Sequence, residues 1–393
     1  MSLIPTLLLK PEREKSVRQQ HPWIFSGAVA RLPQAENGDI VAVCQADGRF
    51  LGYGFFDPES QIVVRLFAFG KEPFALGEAF WQEKIARAFQ LRQSLRRPNH
   101  TNAYRLLHAE GDFLPGIIAD VYDQTVVLQL LIRGTEKILP MLLQALHGLG
   151  FRHFYLKNKE NPRRLEGTQL DNGWLEETGA TKVDILENQY RFQVDIAEGQ
   201  KTGFFLDQRD NRTLLGHTVA GSRVLNAFAY TGGFSVYALG GQAQEVVSVD
   251  ISKEAIRQCE ANVALNFGPS APHTALAADC FEYLKNTSER FDRMVLDPPA
   301  FAKSKKAVAR AARGYISLNE LGLKKLCPGG LLFTFSCSGS IDRDTFRKMV
   351  FAACAEVGRE VRILYQLSQP ADHPVNIYHP EGEYLKGLVL QVS

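Results

Sequence analysis

From about residue 200 to the end, the chain alternates short β-branched runs with helical stretches, and no other feature narrows its fold so far. Strand-like runs lie at 223–228, 245–250, 274–277, 291–296, 331–336 and about 385–392. Helix-like stretches separate them at 233–239, 252–266, 280–286, 306–326 and 342–357. Such alternation gives a parallel sheet with helices on both faces. Ligands of these sheets bind outside the carboxyl ends of the strands, so function is to be sought in the loops there.

The first half of the chain has another rhythm. GDIVAVCQ (38–45), RFLGYGFF (49–56) and QIVVRLFAF (61–69) read as short strands separated by the turn-forming clusters ADG and DPES. Three strands so close together point to a small barrel. A helix follows over 80–95, then a break at 96–104, a hairpin in 113–132 about Tyr122–Gln124, and a helix at 136–147. A second hairpin over 182–196 is expected to turn at Glu187-Asn188. The expected organisation is thus a small β-barrel over 1–72, an α+β middle domain over 73–188 and an α/β domain over 189–393. For 393 residues, two or three domains is the ordinary expectation.

Composition excludes several classes. No run approaches the roughly 18 to 20 apolar residues of a membrane span. The opening MSLIPTLLLKPEREK lacks a basic segment ahead of its apolar residues, so a signal peptide is not expected and a cytoplasmic location is. The six cysteines (44, 259, 280, 327, 337, 354) include no CxxC and no His at metal-ligand spacing, which argues against a metal site or a disulfide framework. Net charge is only +2, but Lys84, Arg87, Arg92, Arg96, Arg97 and Arg105 cluster in 82–108. Lys303, Lys305, Lys306, Arg310, Arg313, Lys324 and Lys325 cluster in 300–325. Runs of this kind form solvated helix faces or hold a nucleic-acid backbone.

Four loops at the strand ends carry chemistry. In RVLNAFAYTGGFSVYAL (223–239) a strand runs into Thr231-Gly232-Gly233 and a helix starts at once, which lets the backbone approach a bound molecule. GxGxxG is absent, which argues against a dinucleotide. EVVSVDIS (245–252) ends a strand in Asp250, placed to hold two ribose hydroxyls, or to cap a helix that Ser252 caps better. Asp279 follows the next strand and either accepts from an adenine amino group or caps a helix.

The last pair bears on the reaction. FDRMVLDPPAF (291–301) ends a strand in Asp297-Pro298-Pro299, and LLFTFSCSGS (331–340) ends another in Ser336-Cys337-Ser338. Neighbouring strands lie about 4.8 Å apart, so Asp297 and Cys337 can face one small planar substrate. The prolines stiffen their loop, and a helix start near 341 would favour a Cys337 thiolate through its dipole. Carbon 5 of cytosine is a poor nucleophile; a thiolate adding to C6 makes C5 enamine-like, and an acid near N3 stabilises the adduct. The plain alternative for any one cysteine is burial, which suits Cys44, Cys259, Cys280, Cys327 and Cys354.

Taken together, GQKTGFFLDQRDNR (199–212), VLNAFAYTGGFSVYAL (224–239), VVSVD (246–250), LDPPAF (296–301), FSCSGS (335–340) and ADHPVNIYHPEGEYLKG (371–387) resemble the PUA-domain-containing 23S ribosomal RNA cytosine-C5 methyltransferases. The resemblance extends to KPEREKSVRQQHPWIFSGAV (10–29) and spans the chain. It implies a PUA-like RNA-binding barrel, a central α+β domain and a Rossmann-like methyltransferase domain with an antiparallel last hairpin. It implies S-adenosylmethionine as cofactor, held by Gln200, Lys201, Thr202, Phe205, Phe228, Tyr230, Thr231, Gly232, Phe234, Asp250, Asp279 and Asp297. Cys337 is the implied nucleophile, acting with Asp297. Related enzymes carry a second cysteine after the prolines; here Ala300 stands in that place.

Pro298, Pro299, His373 and Tyr384 are the expected substrate contacts, the last two in the 371–384 loop that joins the final strands. The expected partner is 23S ribosomal RNA or a large-subunit assembly particle, with no membrane and no metal, and a homodimer is left open. Methylation of a guanine or other base nitrogen, or a non-catalytic role in ribosome assembly, are the competing readings.

Overall fold

The computed structural model describes residues 4–95, 99–158, 170–302 and 308–393. They form two compact units whose chain segments interleave. The first comprises 1–186, 194–206 and 371–382; the second comprises 187–193, 207–370 and 383–393.

The first unit opens with β1 (Thr6–Leu9), a short α1 (Lys15–Arg18), β2 (Trp23–Phe25), β3 (Val29–Arg31), β4 (Ile40–Cys44), β5 (Phe50–Phe56) and β6 (Ile62–Phe69). These make one mixed six-stranded sheet in the order β2-β6-β5-β4-β1-β3. The three strands expected from sequence are β4 to β6. The other three are only three or four residues long, too short for alternation to stand out. Register shifts in β1–β3, β2–β6, β4–β5 and β5–β6 bend the strands.

Next come α2 (Glu78–Leu91), β7 (Ala103–His108), β8 (Ile117–Tyr122), β9 (Thr125–Leu130), α3 (Arg133–Lys137), α4 (Leu139–Gly148), β10 (His153–Leu156) and β11 (Gly173–Trp174). They give a five-stranded sheet ordered β11-β10-β9-β8-β7. The helix expected over 136–147 is two helices, because Pro140 sits in the first turn of α4 and restarts it. One hydrophobic core serves both sheets: Phe55 and Phe67 of the first meet Trp81 of α2, which also packs with the Leu106 and Leu128 layer.

β12 (Lys182–Glu187) and β13 (Tyr190–Asp195) form the second hairpin. Its turn lies at Asn188-Gln189, one residue beyond the expected Glu187-Asn188. Both turn residues have positive φ, 49° and 73°, as a two-residue turn matched to strand twist requires.

In the second unit α5 (Arg209–Gly216) precedes β14 (Arg223–Ala227), α6 (Gly233–Gly240), β15 (Glu245–Asp250), α7 (Lys253–Phe267), β16 (His273–Ala277), α8 (Cys280–Asn286) and β17 (Phe291–Leu296). Then follow α9 (Val308–Lys325), β18 (Leu326–Ser336), α10 (Arg343–Val357), β19 (Val361–Leu367) and β20 (Lys386–Val392). The sheet order is β16-β15-β14-β17-β18-β20-β19. β14 to β18 are parallel, and β20 runs antiparallel between β18 and β19, the last hairpin that the resemblance implies. The order turns back at β14, between β15 and β17, which is where ligands of such sheets bind. Among the described residues, no helix is long and apolar enough to cross a membrane.

Candidate active site

The β14–α6 connection is held in an unusual backbone conformation. Phe228, Tyr230 and Gly232 all have positive φ, at 61°, 46° and 82°. For a bulky residue this is uncommon and costs energy unless the surroundings impose it. They do: the Phe228 N–H donates to Cys280 Sγ at 3.2 Å, and the Ala229 N–H to the Val249 carbonyl. Asn262 of α7 donates to the Thr231 carbonyl at 2.9 Å. A Cβ on Gly232 would lie 2.5 Å from Cys259 Sγ, so only glycine fits. Burial pushes both the Cys259 and the Cys280 thiols up to about 12, so they are packing groups and not nucleophiles.

Asp250, at the end of β15, clamps the loop. Its Oδ2 accepts the Tyr230 N–H and its Oδ1 the Ser252 N–H, each at 2.9 Å. Ser252 caps α7, accepting from the Ala255 N–H, so Asp250 is not that cap. Asp279 caps α8 through the Glu282 N–H at 3.0 Å, and is exposed. Beneath the loop Ser235, Ser248 and His273 form a chain of bonds at 2.6 and 2.7 Å, and Phe234 packs against Phe335.

Asp297 and Cys337 extend past the ends of β17 and β18, whose register pairs Leu296 with Thr334. Gln208, just ahead of α5, donates to Asp297 Oδ2 at 2.9 Å and is itself held by Asn211 at 2.6 Å. Pro298 is buried and Pro299 exposed. Cys337 is half-buried, whereas Ser336 and Ser338 on either side are buried. Ser338 Oγ donates to the Ala302 carbonyl at 2.5 Å, and Ser336 Oγ to the Tyr315 phenol at 2.9 Å. Burial pushes Tyr315 up to about 12, with smaller contributions from Cys337 and Asp297.

The expected helix dipole at Cys337 needs correcting. α10 starts only at Arg343, and the Asp342 carboxylate caps it through the Thr345 N–H at 2.7 Å. Among the described residues Lys386, at the head of β20, brings a positive charge near the cysteine, its ammonium donating to the Ser338 carbonyl.

The other sequence-derived residues lie as follows. Thr202 is buried, its hydroxyl donating to Asp120 at 2.6 Å and bonded to Tyr122 at 2.8 Å, all within the first unit. In the same segment Lys201 has φ 52° and its ammonium lies 4.4 Å from the Phe205 ring centre; Gln200 precedes it. His373 is only 1% exposed, bonded to Asp372 and packed against His108. Tyr384 belongs to the second unit and donates to Asp207 at 2.7 Å. In the first basic run, Arg92 and Arg105 are buried in two-pronged ion pairs with Asp112 and Asp120, which removes them from any RNA-holding surface. Arg96 and Arg97, and Lys303, Lys305 and Lys306, lie outside the described residues. Arg310 and Arg313 are exposed on α9.

Residues 114–376 match the family model described as S-adenosylmethionine-dependent methyltransferase. The chain belongs to that family. Residues 7–69 match a PUA-like domain. The chain is 41% identical to ribosomal RNA large subunit methyltransferase I of Alteromonas mediterranea over 98% of both chains. It is 39% identical to the protein of that name from Klebsiella pneumoniae, over 100% of this chain and 99% of the other. Among solved structures it resembles SMU.776, whose structure was solved in complex with SAH, at TM-score 0.86 and 25% identity over 99% of this chain and 100% of the other.

The β14–α6 loop fits the family's cofactor. Thr231 Oγ1 is buried with no hydrogen-bond partner among the described residues, a polar atom that a bound molecule can satisfy. The Asp250 carboxylate, with about four lone-pair sites, has two engaged by backbone and the others to offer a ribose diol. Among the described residues there is no group of three or more His, Cys, Asp and Glu side chains arranged to hold a metal ion.

Sequence reasoning missed Gln208, Tyr315 and Lys386. Gln208 lies within the polar run DQRDNR, which could have been read as a support for the strand ends. Lys386 is a lone cation heading the apolar run KGLVLQV, and a charge in a central strand is a signal in itself.

Proposed function

We propose that this chain methylates carbon 5 of a cytosine in 23S ribosomal RNA through a transient bond between Cys337 Sγ and C6 of the base. The observation that carries the reading is the half-exposed Cys337 beyond the end of β18, next to the strand that ends in Asp297. The name of the relatives, ribosomal RNA large subunit methyltransferase I, supports the substrate class.

The Cys337 thiolate adds to C6, and the C5–C6 π pair moves onto the ring as an enamine. Asp297, presented near N3, stabilises the adduct by hydrogen bonding. When bound, S-adenosylmethionine supplies the electrophilic methyl group that C5 accepts. Loss of the C5 proton to a base then re-forms the double bond and expels Sγ. Ala300 leaves no second cysteine in the Asp-Pro-Pro loop for that release.

Asp250, Thr231, Gly232, Phe228, Tyr230, Phe234 and Asp279 are assigned to the cofactor from the β14–α6 loop and the strand ends around it. Gln200, Lys201, Thr202 and Phe205 are assigned by the family resemblance, as are the RNA-binding role of 1–72 and the parts 73–188 and 189–393. Pro298, Pro299, His373 and Tyr384 are assigned to the target base, and the site of action to the cytoplasm.

The test is RNA carrying 5-fluorocytosine at the target, where fluorine blocks proton loss and traps the adduct. Wild-type protein should form a covalent complex, and Cys337→Ala should form neither complex nor 5-methylcytosine. Cys337→Ala protein that still makes 5-methylcytosine would sink the mechanism, and methylated guanine as the product would move the reading to a base nitrogen.

A further inference from the structure

Lys386 occupies a place that chain packing alone does not account for. It opens β20, a strand flanked on both sides, and its register partner on β18 is Ser336, the residue before Cys337. Its side chain is 2% exposed, and its ammonium donates at 2.6 Å to the carbonyl of Ser338, the residue after Cys337. Lys386 thus spans the cysteine, paired with one neighbour through the backbone and bonded to the other through its side chain.

The acids around the ammonium are engaged elsewhere. Glu383 pairs with Arg343, and Asp342 caps α10. Among the described residues the ammonium bonds only to the neutral Ser338 carbonyl; a buried ammonium so placed is costly, and it favours a negative charge appearing beside it. Cys337 is the group there that can acquire one by losing a proton. Burial pushes Lys386 down to about 8, while Cys337 pulls it back up, followed by Glu383; Arg343 opposes and Asp342 adds a little. On the other side the phenol of Tyr315 faces both Cys337 and Asp297; held neutral by burial, it does not compensate the thiolate.

We propose that Lys386 is the positioning residue that maintains Cys337 as a thiolate, its ammonium held next to the cysteine's neighbour by the Ser338 carbonyl. The thiol proton passes to solvent before the base is engaged, and Lys386 keeps its own. This deepens the proposed covalent role of Cys337 and rests on it for its use, but the thiolate can be measured without RNA or methyl transfer.

The experiment is alkylation of the whole protein by iodoacetamide across pH 5 to 10 (about the window set by the ordinary thiol value), read peptide by peptide by mass spectrometry. Cys354, whose thiol burial pushes up, is the internal control. In wild-type protein the Cys337 midpoint should lie below the ordinary thiol value of about 8.5. Lys386→Gln keeps a donor for the Ser338 carbonyl but removes the charge, and should raise the midpoint by about one unit or more. Lys386→Arg, which keeps the charge, should restore most of the wild-type value. A wild-type midpoint at or above about 8.5 overturns the proposal even if every variant misfolds. Equal midpoints in wild type and Lys386→Gln also overturn it. If instead the midpoint shifts as expected and 5-fluorocytosine traps nothing, the cytosine reading falls while the activated thiolate stands.

Discussion

The Gln208 side-chain amide donates to the Asp297 carboxylate at 2.9 Å, so the start of α5 fixes the rotamer of the acid at the end of β17. Asn211, one turn into the helix, holds Gln208 in turn. Asp297→Ala should therefore lower kcat by roughly 100- to 10,000-fold, the range for a positioned acid–base group. Gln208→Ala should lower it by about tenfold or more, the loss of one hydrogen bond to a charged group. Single-turnover methylation of ribosomal RNA measures both, and a Gln208→Ala protein at the wild-type rate would show that Asp297 needs no such support.

Cofactor affinity should follow the β14–α6 loop. Asp250→Ala removes charge-assisted bonds worth roughly 1.5 to 3 kcal/mol, or about 10- to 150-fold in S-adenosylmethionine affinity. Gly232→Ala should also weaken binding, because its Cβ would meet Cys259 Sγ at 2.5 Å in a backbone with φ 82°. Calorimetry on folded variants is the check. Unchanged affinity in Asp250→Ala would assign its carboxylate to the Tyr230 and Ser252 amides alone.

Acid should loosen the floor of this loop. Burial depresses His273 from 6.5 to about 4, and Ser248 bonds to its Nε2 at 2.7 Å. The folded state thus holds the ring neutral at pH values where the unfolded chain protonates it. The contribution is fully present above about 6.5 and is lost as pH falls toward 4, amounting to as much as about 3 kcal/mol. Urea unfolding between pH 4 and 7 should show this slope, and His273→Gln should flatten it. An identical slope in the variant would place the acid sensitivity elsewhere.

RNA contacts should be sought on α9 and not at Arg92 or Arg105 of the first basic run. Arg310 and Arg313 are exposed, whereas Arg92 and Arg105 are spent in buried pairs. Arg310→Ala and Arg313→Ala should each weaken RNA binding and reduce the salt slope by about one phosphate contact. Titrations at several salt concentrations that give the wild-type slope would remove α9 from the interface.

The N-terminal sheet should not be separable without cost. Trp81 is 1% exposed between Phe55, Phe67 and the five-stranded sheet. Trp81→Ala should destabilise the first unit by about 3 to 5 kcal/mol, and deleting 1–72 exposes the same face. Chemical denaturation tests the substitution, and a loss under about 1 kcal/mol would mean the two sheets have independent cores.

The parallel part of the sheet was legible because each strand there carries a short apolar stretch with a helix-length interval behind it. Asp250, Asp297 and Cys337 were legible too, since polar residues stand out where such runs stop. What stayed hidden depends on long-range pairing. β1, β2 and β3 are short, and β19 has Ile363, Leu364 and Tyr365 over 40% exposed, so neither shows a clean alternation. The fate of Arg92 and Arg105 was equally invisible, because Asp112 and Asp120 become their partners only when β7 and β8 pair. Lys386 acquires its meaning only from a register with Ser336 that lies fifty residues back along the chain.

The backbone N–H of Arg105 donates to the carboxylate of Asp372, 267 residues later, and Arg92 donates to the Asp372 carbonyl. On a ribosome, domains that emerge first ordinarily fold first. The arginine side chains already have Asp112 and Asp120, but these two further bonds of the first unit wait until almost the whole protein has been synthesised. The segment 371–382 that completes the first unit is made only after most of the second, so the last contacts of the first unit form late in synthesis. Truncation anywhere before 371 removes both bonds and leaves the Arg105 backbone N–H without its carboxylate.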